Sequence, residues 1–352
     1  MLPIAVLGMT LPSTPPASHA DGHLPLGSPL YVERPFYPAF HESILRRDPI
    51  VLVKGAQQTG KTSLLARGLD RARVAGSATA CTDLGSESVS SLDSLEALYL
   101  ALADDLCDQL DLGIRPSQVW QEAWPPSMNF DRYLRRVVLR SVPDGLAWAL
   151  DNVDALFAHQ FSGEAFAFFR SVYNDRALTP DGPWRNLVVI MGYAREAHLF
   201  IPNLDQSPFN VGTRFDLEDF VFADVAALNA QHGAPLRTDA EIAQYMRLVG
   251  GSPYLVPRGL GEMSQHGLDV QALESRDCLD RIYGDHLRRI LALLDGAPGL
   301  RSIVQEVLRG REPSDAEGFD RLRAAGVMVG DALNDARPRC QLYAGYLERH
   351  LL

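Results

Sequence analysis

Eight consecutive residues have the composition and spacing of a phosphate-binding loop. They read Gly55-Ala-Gln-Gln-Thr-Gly60-Lys61-Thr62 and match the pattern G-x-x-x-x-G-K-[ST], between an apolar run and a helical pattern. Glycines allow the backbone to wrap closely around phosphate, and the N–H groups of such a loop point inward as an anion nest. We expect the ammonium of Lys61 to reach the β- and γ-phosphates of a nucleoside triphosphate, and the hydroxyl of Thr62 to bind Mg²⁺. The predicted nucleotide contacts are Gly55, Ala56, Gln57, Gln58, Thr59, Gly60, Lys61, Thr62 and Ser63.

The use of lysine in this chain supports the same interpretation. Lysine and arginine together number 33, and only Lys54 and Lys61 are lysines. Basic charge is therefore supplied almost wholly by arginine, yet lysine stands at the one position where a compact point charge is needed and a planar guanidinium fits poorly. We interpret the loop as a site for ATP or ADP with Mg²⁺.

A second chemical group follows the apolar run Leu146–Leu150, which ends in Asp151. This pattern predicts a buried strand that carries a carboxylate at its end, where it can hold Mg²⁺ together with Thr62. The alternative is an ordinary aspartate at a turn after the strand. Because a phosphate loop needs an acidic partner on a neighbouring strand, we assign Asp151 to the metal and to catalysis.

The next residue bears on hydrolysis. Many ATPases with this loop carry glutamate there, where it polarises the attacking water, but this chain has Asn152. An amide cannot accept a proton as a general base, although it can orient a water molecule. We therefore expect ATP to be bound and hydrolysed slowly. Asp154 is the nearest other carboxylate, and it either replaces the glutamate or caps the following helix.

These residues must be positioned by a parallel sheet. Helical patterns at 63–74, 92–112 and 155–174 alternate with strand-like apolar runs. The predicted strands are Ile50–Val53, Ala78–Thr82, Leu146–Leu150, Leu187–Ile190 and Asn210–Phe215. This alternation predicts an α/β fold with a parallel sheet covered on both faces. After Asp216 the strand signals end, and helices are expected at 219–232, 238–248 and 257–266.

Seven short stretches, taken in order, resemble the bacterial AAA-like domain family, a branch of the STAND signal-transduction NTPases. They are Tyr31–Pro35, Gly55–Leu65, Leu150–Asp154, Pro208–Gly212, Val249–Pro253, Phe319–Gly326 and Arg337–Tyr343. The resemblance covers about residues 28–352. It implies a P-loop NTPase parallel-sheet domain, then a helical lid and a C-terminal winged-helix domain. The expected boundaries are 1–24 for a disordered leader, 25–215 for the nucleotide-binding domain, 216–268 for the lid and 269–352 for the winged helix.

The resemblance also implies roles for residues outside the phosphate loop. Tyr31 and Arg34 would lie where such proteins contact the base. From the lid, the step Gly251-Ser252-Pro253 would approach the adenine or the ribose. Arg195 would stand at the sensor position near the γ-phosphate and act in catalysis, and an exposed surface arginine is the alternative. Asn152 departs from the family pattern, which usually has glutamate, and this puts hydrolysis in doubt rather than binding.

A nucleotide-dependent signalling switch is the function that these features predict. Family members usually carry an effector or a repeat sensor on the same chain, whereas this one ends at Leu352. We therefore expect either a separate effector or sensor protein or a truncated chain, together with a nucleotide-dependent homo-oligomer. Two alternatives remain at this stage: a DNA-associated ATPase regulator that uses its winged helix, and a scaffold that ATP stabilises without turnover.

Charge and composition bear on partners and location. The net charge is -11, and residues 269–352 hold no lysine and slightly more acidic residues than arginines, which argues against DNA as a partner. No run is long enough for a membrane span. The four cysteines are Cys81, Cys107, Cys278 and Cys340. Their wide spacing suggests neither a zinc ribbon nor a disulfide framework, and reduced thiols fit a cytoplasmic protein.

Overall fold

A parallel sheet lies between Ile50 and Asp216 in the computed structural model, which describes residues 24–86, 89, 91–194 and 207–352. Within these residues, five parallel strands lie in the order β2-β3-β4-β1-β5. The strands are β1 Ile50–Lys54, β2 Ala78–Asp83, β3 Leu146–Asp151, β4 Leu187–Tyr193 and β5 Thr213–Asp216. The predicted α/β fold with a parallel sheet is therefore confirmed.

The strand order decides which residues meet at the carboxyl edge of the sheet. β1 pairs with β4 and β5, while β3 lies between β4 and β2. Asp83 at the end of β2 is the register partner of Asp151 at the end of β3. Because all five strands run in the same direction, the loop after Lys54 and the carboxylates of Asp83 and Asp151 lie at one edge.

Helices cover both faces of the sheet. α1 Tyr37–Leu45 and α2 Lys61–Val74 pack on one face. The other face is covered by helices with an aromatic core, in which the rings of Tyr99 and Phe130 stack 4.6 Å apart. These helices are α3 Leu95–Gln109, α4 Pro116–Val119, α5 Pro126–Tyr133 and α6 Ser162–Leu178, and α5 continues as a π-helical segment Leu134–Val138 and a last turn Leu139–Ser141.

Two predicted elements differ in the structure. The helix expected at 155–174 is a 3₁₀ turn, Val153–Ala158, followed by a separate helix α6. Asn152 adopts the left-handed conformation with φ 54°, and the chain bends there before the helix begins. The strand expected from Asn210 begins only at Thr213, because Pro208 lacks a backbone donor and Ser207 caps a 3₁₀ turn at Pro208–Asn210.

The rest of the chain is helical and ends with a short antiparallel ribbon. The helices are α7 Phe222–Gln231, α8 Asp239–Val249, α9 Leu255–His266, α10 Val270–Leu273, α11 Arg276–Asp295, α12 Pro298–Leu308, α13 Ala316–Ala324 and α14 Gln341–Leu351. The ribbon joins β6 Met328–Val329 to β7 Arg337–Pro338 between the last two helices. One hydrophobic core extends from Phe220 to Leu351 and includes residues on both sides of the expected boundary at 268. That boundary and the winged-helix assignment stay predictions.

Three smaller predictions concern the leader, the membrane and the thiols. Residues 1–23 of the expected leader lie outside the described residues, and its last residue, Leu24, donates its N–H to Ser63 Oγ at 3.1 Å. Within the described ranges, no helix is both long and apolar enough to span a bilayer. The four cysteines have free thiols, and all except Cys81 are buried.

Candidate functional site

The phosphate loop lies between β1 and α2, as the sequence predicted. Gly60 has φ 98° and ends the loop one residue before α2 begins at Lys61. Gly55 allows a close approach, because an added Cβ would lie 2.6 Å from Thr59 Oγ1 and 2.9 Å from Leu217 Cβ. The loop conformation therefore depends on these glycines, and the N-terminus of α2 points its N–H groups toward the space that the loop encloses.

Lys61 is buried within this loop. Its Nζ donates to the carbonyl oxygens of Gly55 at 2.9 Å and Ala56 at 3.0 Å. Burial lowers the pKa of Lys61, the carboxylates of Asp154 and Asp151 oppose this, and the guanidinium of Arg339 adds to it. The ammonium is therefore under the electrostatic influence of two carboxylates of the sheet edge and of an arginine from the C-terminal part of the chain.

Thr62 and Asp151 are in direct contact. Thr62 Oγ1 donates to Asp151 Oδ2 at 2.5 Å, and the backbone N–H of Asn152 donates to Asp151 Oδ1 at 2.9 Å. Asp151 is buried. A Cβ added to Gly192 of β4 would lie 2.8 Å from Asp151 Oδ1, so the absence of a side chain there gives the carboxylate its space. The structure therefore brings together the two residues that the sequence assigned to Mg²⁺.

This donor set fits magnesium. A hydroxyl and a carboxylate supply the hard oxygen ligands that Mg²⁺ prefers, and Mg²⁺ in nucleotide sites is usually bound by one or two protein groups together with phosphate oxygens and water. No group of three or more His, Cys, Asp or Glu residues in the described part of the chain is arranged to hold a metal ion alone. Thr62 and Asp151 would therefore share the ion with the phosphates of a nucleotide.

Asn152 and Asp154 make contacts that the sequence did not predict. The side-chain amide of Asn152 donates from Nδ2 to Asp83 Oδ1 at 2.8 Å. Asp154 accepts the backbone N–H of Ala194 at 2.8 Å, so its carboxylate is bound to the residue after β4, and the N-cap residue of the 3₁₀ turn, Asn152, makes no side-chain capping hydrogen bond. Asp83 was missed in the sequence, although it ends β2 as Asp151 ends β3, and this parallel could have identified it.

The step Gly250–Pro253 joins three segments of the chain. Gly250 and Gly251 have φ values of 69° and 70°. A Cβ on Gly251 would lie 2.4 Å from the Phe220 carbonyl oxygen, and a Cβ on Gly250 would lie 2.7 Å from that of Arg339. Ser252 is buried, and its Oγ accepts the N–H of Leu255 at 3.4 Å before Pro253 leads into α9. The nucleotide contacts assigned to Gly251, Ser252 and Pro253 stay predictions.

The segment from Tyr31 to Arg34 bridges α2 and the loop between β5 and α7. The ring of Tyr31 lies 3.4 Å from Cζ of Arg67 on α2. Arg34 donates to the Glu218 carbonyl oxygen at 2.9 Å, and its guanidinium lies 4.4 Å from the centre of the Phe220 ring.

Phe220 in turn donates its N–H to the Gly251 carbonyl oxygen at 2.8 Å. Arg34 and the step Gly250–Pro253 are thus close together, whereas Tyr31 lies on the α2 side. Arg195, the predicted sensor, falls outside the described residues.

The C-terminal part of the chain touches the phosphate loop. The backbone N–H of Gln57 donates to the carbonyl oxygen of Ala324, at the end of α13, at 2.7 Å. Arg339 is buried and forms an ion pair with Asp219, with Nε 3.0 Å from Oδ2 and a second bond from Nη2 to Oδ1. Burial lowers the pKa of Arg339, but the hydrogen bond and the charge of Asp219 outweigh this effect and raise it. The stretch Arg337–Tyr343 is part of the family resemblance, but the resemblance implied no role for Arg339.

The comparisons with known proteins agree with this geometry. A family model described as an AAA-like domain matches residues 19–349. No curated protein matches the chain in sequence. The Walker-type ATPase PABY2304 of Pyrococcus abyssi is similar in structure with a TM-score of 0.59 at 16% identity, over 90% of this chain and 95% of that one.

The ORC2 protein of Aeropyrum pernix, solved as ADPNP-ADP complexes, is similar with a TM-score of 0.52 at 12% identity, over 92% of this chain and 98% of that one. At such low identities the likeness shows the fold alone. That fold is the one of AAA-like P-loop ATPases.

Proposed function

The chain belongs to the AAA-like domain family, and on this premise we propose that it binds ATP or ADP with Mg²⁺ and acts as a STAND-type signalling switch. Lys61 and the loop from Gly55 would hold the phosphates, with Thr62 and Asp151 as the protein ligands of Mg²⁺. Bound Mg²⁺ would neutralise part of the phosphate charge. The ATP- and ADP-type ligands named for the Aeropyrum pernix protein support the choice of ligand.

One observation carries the switch: residues of the C-terminal part of the chain contact the phosphate loop itself. Gln57 is part of the loop and donates its N–H to Ala324, and Arg339 lies close enough to Lys61 to lower its pKa. A nucleotide can shift a conformational equilibrium only through contacts that differ between the two states. Phosphates in the loop would add negative charge beside Arg339. ATP adds more negative charge than ADP because it carries one more phosphate. Nucleotide identity would therefore bias the docking of residues 269–352.

Slow hydrolysis would suit this role. Asn152 stands where family members usually have glutamate, so ATP would remain bound for longer before it is hydrolysed. The hydrolysis rate would then set how long the protein stays in its ATP-bound form. Residues 269–352 would form a winged-helix domain that packs on the nucleotide-binding domain rather than on DNA. When this domain undocks, a separate effector or sensor protein, or a second copy of the chain, would bind the open form. The cytoplasm is the location that we propose.

The test measures binding, turnover and shape together. With ATP and Mg²⁺, wild type should bind nucleotide, turn over well below about 1 s⁻¹, and differ in radius of gyration between ADP and a non-hydrolysable ATP analogue. Lys61→Ala should lose binding, and Asn152→Glu should raise turnover. ATP at 100 times its Kd should stabilise the folded state by about 2.7 kcal/mol.

Three results would contradict the proposal in different ways. If wild type that carries no bound ADP fails to bind ATP, the assignment of the nucleotide site is wrong. Binding with no change of shape and no turnover leaves a scaffold that nucleotide stabilises. Tight, salt-dependent DNA binding favours the DNA-associated regulator instead.

A further inference from the structure

The carboxyl edge of the sheet carries a further carboxylate, Asp83, to which the sequence patterns assign no role. Asp83 ends β2 and is the register partner of Asp151. Neighbouring strands of a sheet lie about 4.8 Å apart. Asp83 is therefore one strand farther from the phosphate loop than the residue that contacts Thr62, at the same edge and in an exposed position.

Asn152 holds this carboxylate in place. Its Nδ2 lies 2.8 Å from Asp83 Oδ1, and the backbone N–H of Gly85 donates to the same oxygen at 2.9 Å. Within the described residues, both hydrogen bonds to this carboxylate end on Oδ1, so Oδ2 is left to accept from water. The amide that replaces the family's glutamate thus binds a carboxylate from the next strand.

The other polar side chains at this edge are less suited to accept a proton from water. Asp151 is buried and bonded to Thr62, and Asp154 accepts the N–H of Ala194. Asn152 has no group that can take up a proton. Of the described residues placed at the ends of β2 and β3, only Asp83 combines exposure, a fixed orientation and a group able to act as a base.

We propose that Asp83 is the base for ATP hydrolysis and that Asn152 is its positioning residue, an inference that rests on the ATPase activity proposed above. The water oxygen forms a bond to the γ-phosphorus while the bond between that phosphorus and the β–γ bridging oxygen breaks. The bridging electron pair leaves with ADP. One proton of the water passes to the Asp83 carboxylate and from there to solvent, so the products are ADP and phosphate.

This arrangement is also consistent with the slow turnover proposed above. An aspartate is one methylene shorter than the glutamate of other family members, and it starts from a strand one position farther out. The carboxylate would reach the attacking water less often, although Asn152 restricts its motion. The ATP hydrolysis that remains would depend on both Asp83 and Asn152.

The experiment compares turnover with nucleotide binding in matched variants. Asp83→Asn keeps the size of the side chain and should lower kcat about 100-fold, while the Kd for ATP, measured with a fluorescent analogue, changes less than about threefold. Asp108→Asn, an exposed aspartate of α3 paired with Arg115, is the control and should leave both unchanged. Asn152→Gly removes the amide without backbone strain, since glycine adopts φ 54° freely, and should lower kcat about tenfold.

One further measurement separates a chemical role from a structural one. The double variant Asp83→Asn/Asn152→Asp returns a carboxylate to the pair and should recover at least about tenfold in kcat over Asp83→Asn alone.

The outcomes distinguish this inference from the proposed function. If Asp83→Asn binds ATP and hydrolyses it at the wild-type rate, or if wild type binds ATP without any turnover, Asp83 is not the base, but the nucleotide site stands. If wild type does not bind ATP, both the proposed nucleotide site and the role of Asp83 as a base are wrong.

Discussion

Arg339 and Asp219 form a two-bonded ion pair although they lie 120 residues apart in sequence. The side chain of Arg339 is 3% exposed and that of Asp219 is 28% exposed, so the arginine is buried and its carboxylate partner is partly in water. The pair joins the loop between β5 and α7 to the residue after β7, beside the phosphate loop. A buried guanidinium keeps its charge, and it is therefore stable there only with its partner.

Asp219→Asn should destabilise the folded protein by about 3 kcal/mol, because it leaves the Arg339 charge buried without a counter-charge. Urea unfolding would measure this. Arg337→Gln is the control: Arg337 forms an exposed pair with Asp335, and its loss should cost less than about 1 kcal/mol. The double variant Asp219→Asn/Arg339→Met should be more stable than the sum of the two single changes predicts. Additive losses would show that the two side chains do not depend on each other.

Thr62→Val should remove the Mg²⁺-dependent part of nucleotide binding and leave the rest. The hydroxyl of Thr62 contacts Asp151, and valine has nearly the same shape without an oxygen ligand. We expect Mg²⁺ to tighten ATP binding at least tenfold less in this variant than in wild type, which corresponds to about 1.4 kcal/mol. Titrations with Mg²⁺ and with EDTA measure the effect. Thr79→Val, on β2 and bonded to Arg73, is the control, and an equal loss in that variant would contradict the assignment.

Gly251→Ala should be strongly destabilising. The new Cβ would lie 2.4 Å from the Phe220 carbonyl oxygen, and the residue has φ 70°, which alanine adopts only at a cost. We expect a loss of at least about 2 kcal/mol in thermal or urea unfolding. Gly299→Ala in α12 meets no atom within 4 Å and should change stability by less than about 1 kcal/mol, toward greater stability. Similar effects at both positions would mean that the close approach at Gly251 is not required.

Acid should destabilise the protein through His286. This histidine is buried, its Nε2 lies 2.6 Å from the Tyr343 hydroxyl, and burial with the nearby charges of Arg289, Arg339 and Arg258 lowers its pKa to about 4. The unfolded state, with an ordinary pKa near 6.5, binds more protons between about pH 6.5 and 4. Stability contributed by neutral His286 is therefore present above pH 6.5 and lost as the pH falls through that window.

The loss through His286 should reach about 2 kcal/mol at pH 5 relative to pH 7. Urea unfolding of His286→Gln should show a pH dependence smaller by that amount, whereas His350→Gln, at an exposed position of α14, should behave as wild type. An unchanged pH dependence in His286→Gln would mean that this histidine is not the group that titrates.

The sequence determined those parts of the protein that depend on local patterns. The G-x-x-x-x-G-K-T spacing identified the phosphate loop and Lys61, because a loop that wraps phosphate needs these residue types at fixed positions. Apolar runs separated by helical segments predicted the parallel sheet, since a strand buried on both faces must be apolar throughout. The apolar run before Asp151 identified the carboxylate that lies against Thr62.

Only the tertiary structure decided which distant residues complete the site. Asp83 lies beside Asn152 because β2 and β3 are neighbours in the sheet. The separation of residues 83 and 152 in sequence does not reveal this strand order. Arg339 and Ala324 reach the phosphate loop because the C-terminal helices share one hydrophobic core with helices α7, α8 and α9, which brings the end of the chain back against its beginning. Local sequence fixes backbone conformation within a few residues, whereas contacts across hundreds of residues depend on how whole elements pack, and that packing is set by all of their apolar surfaces together.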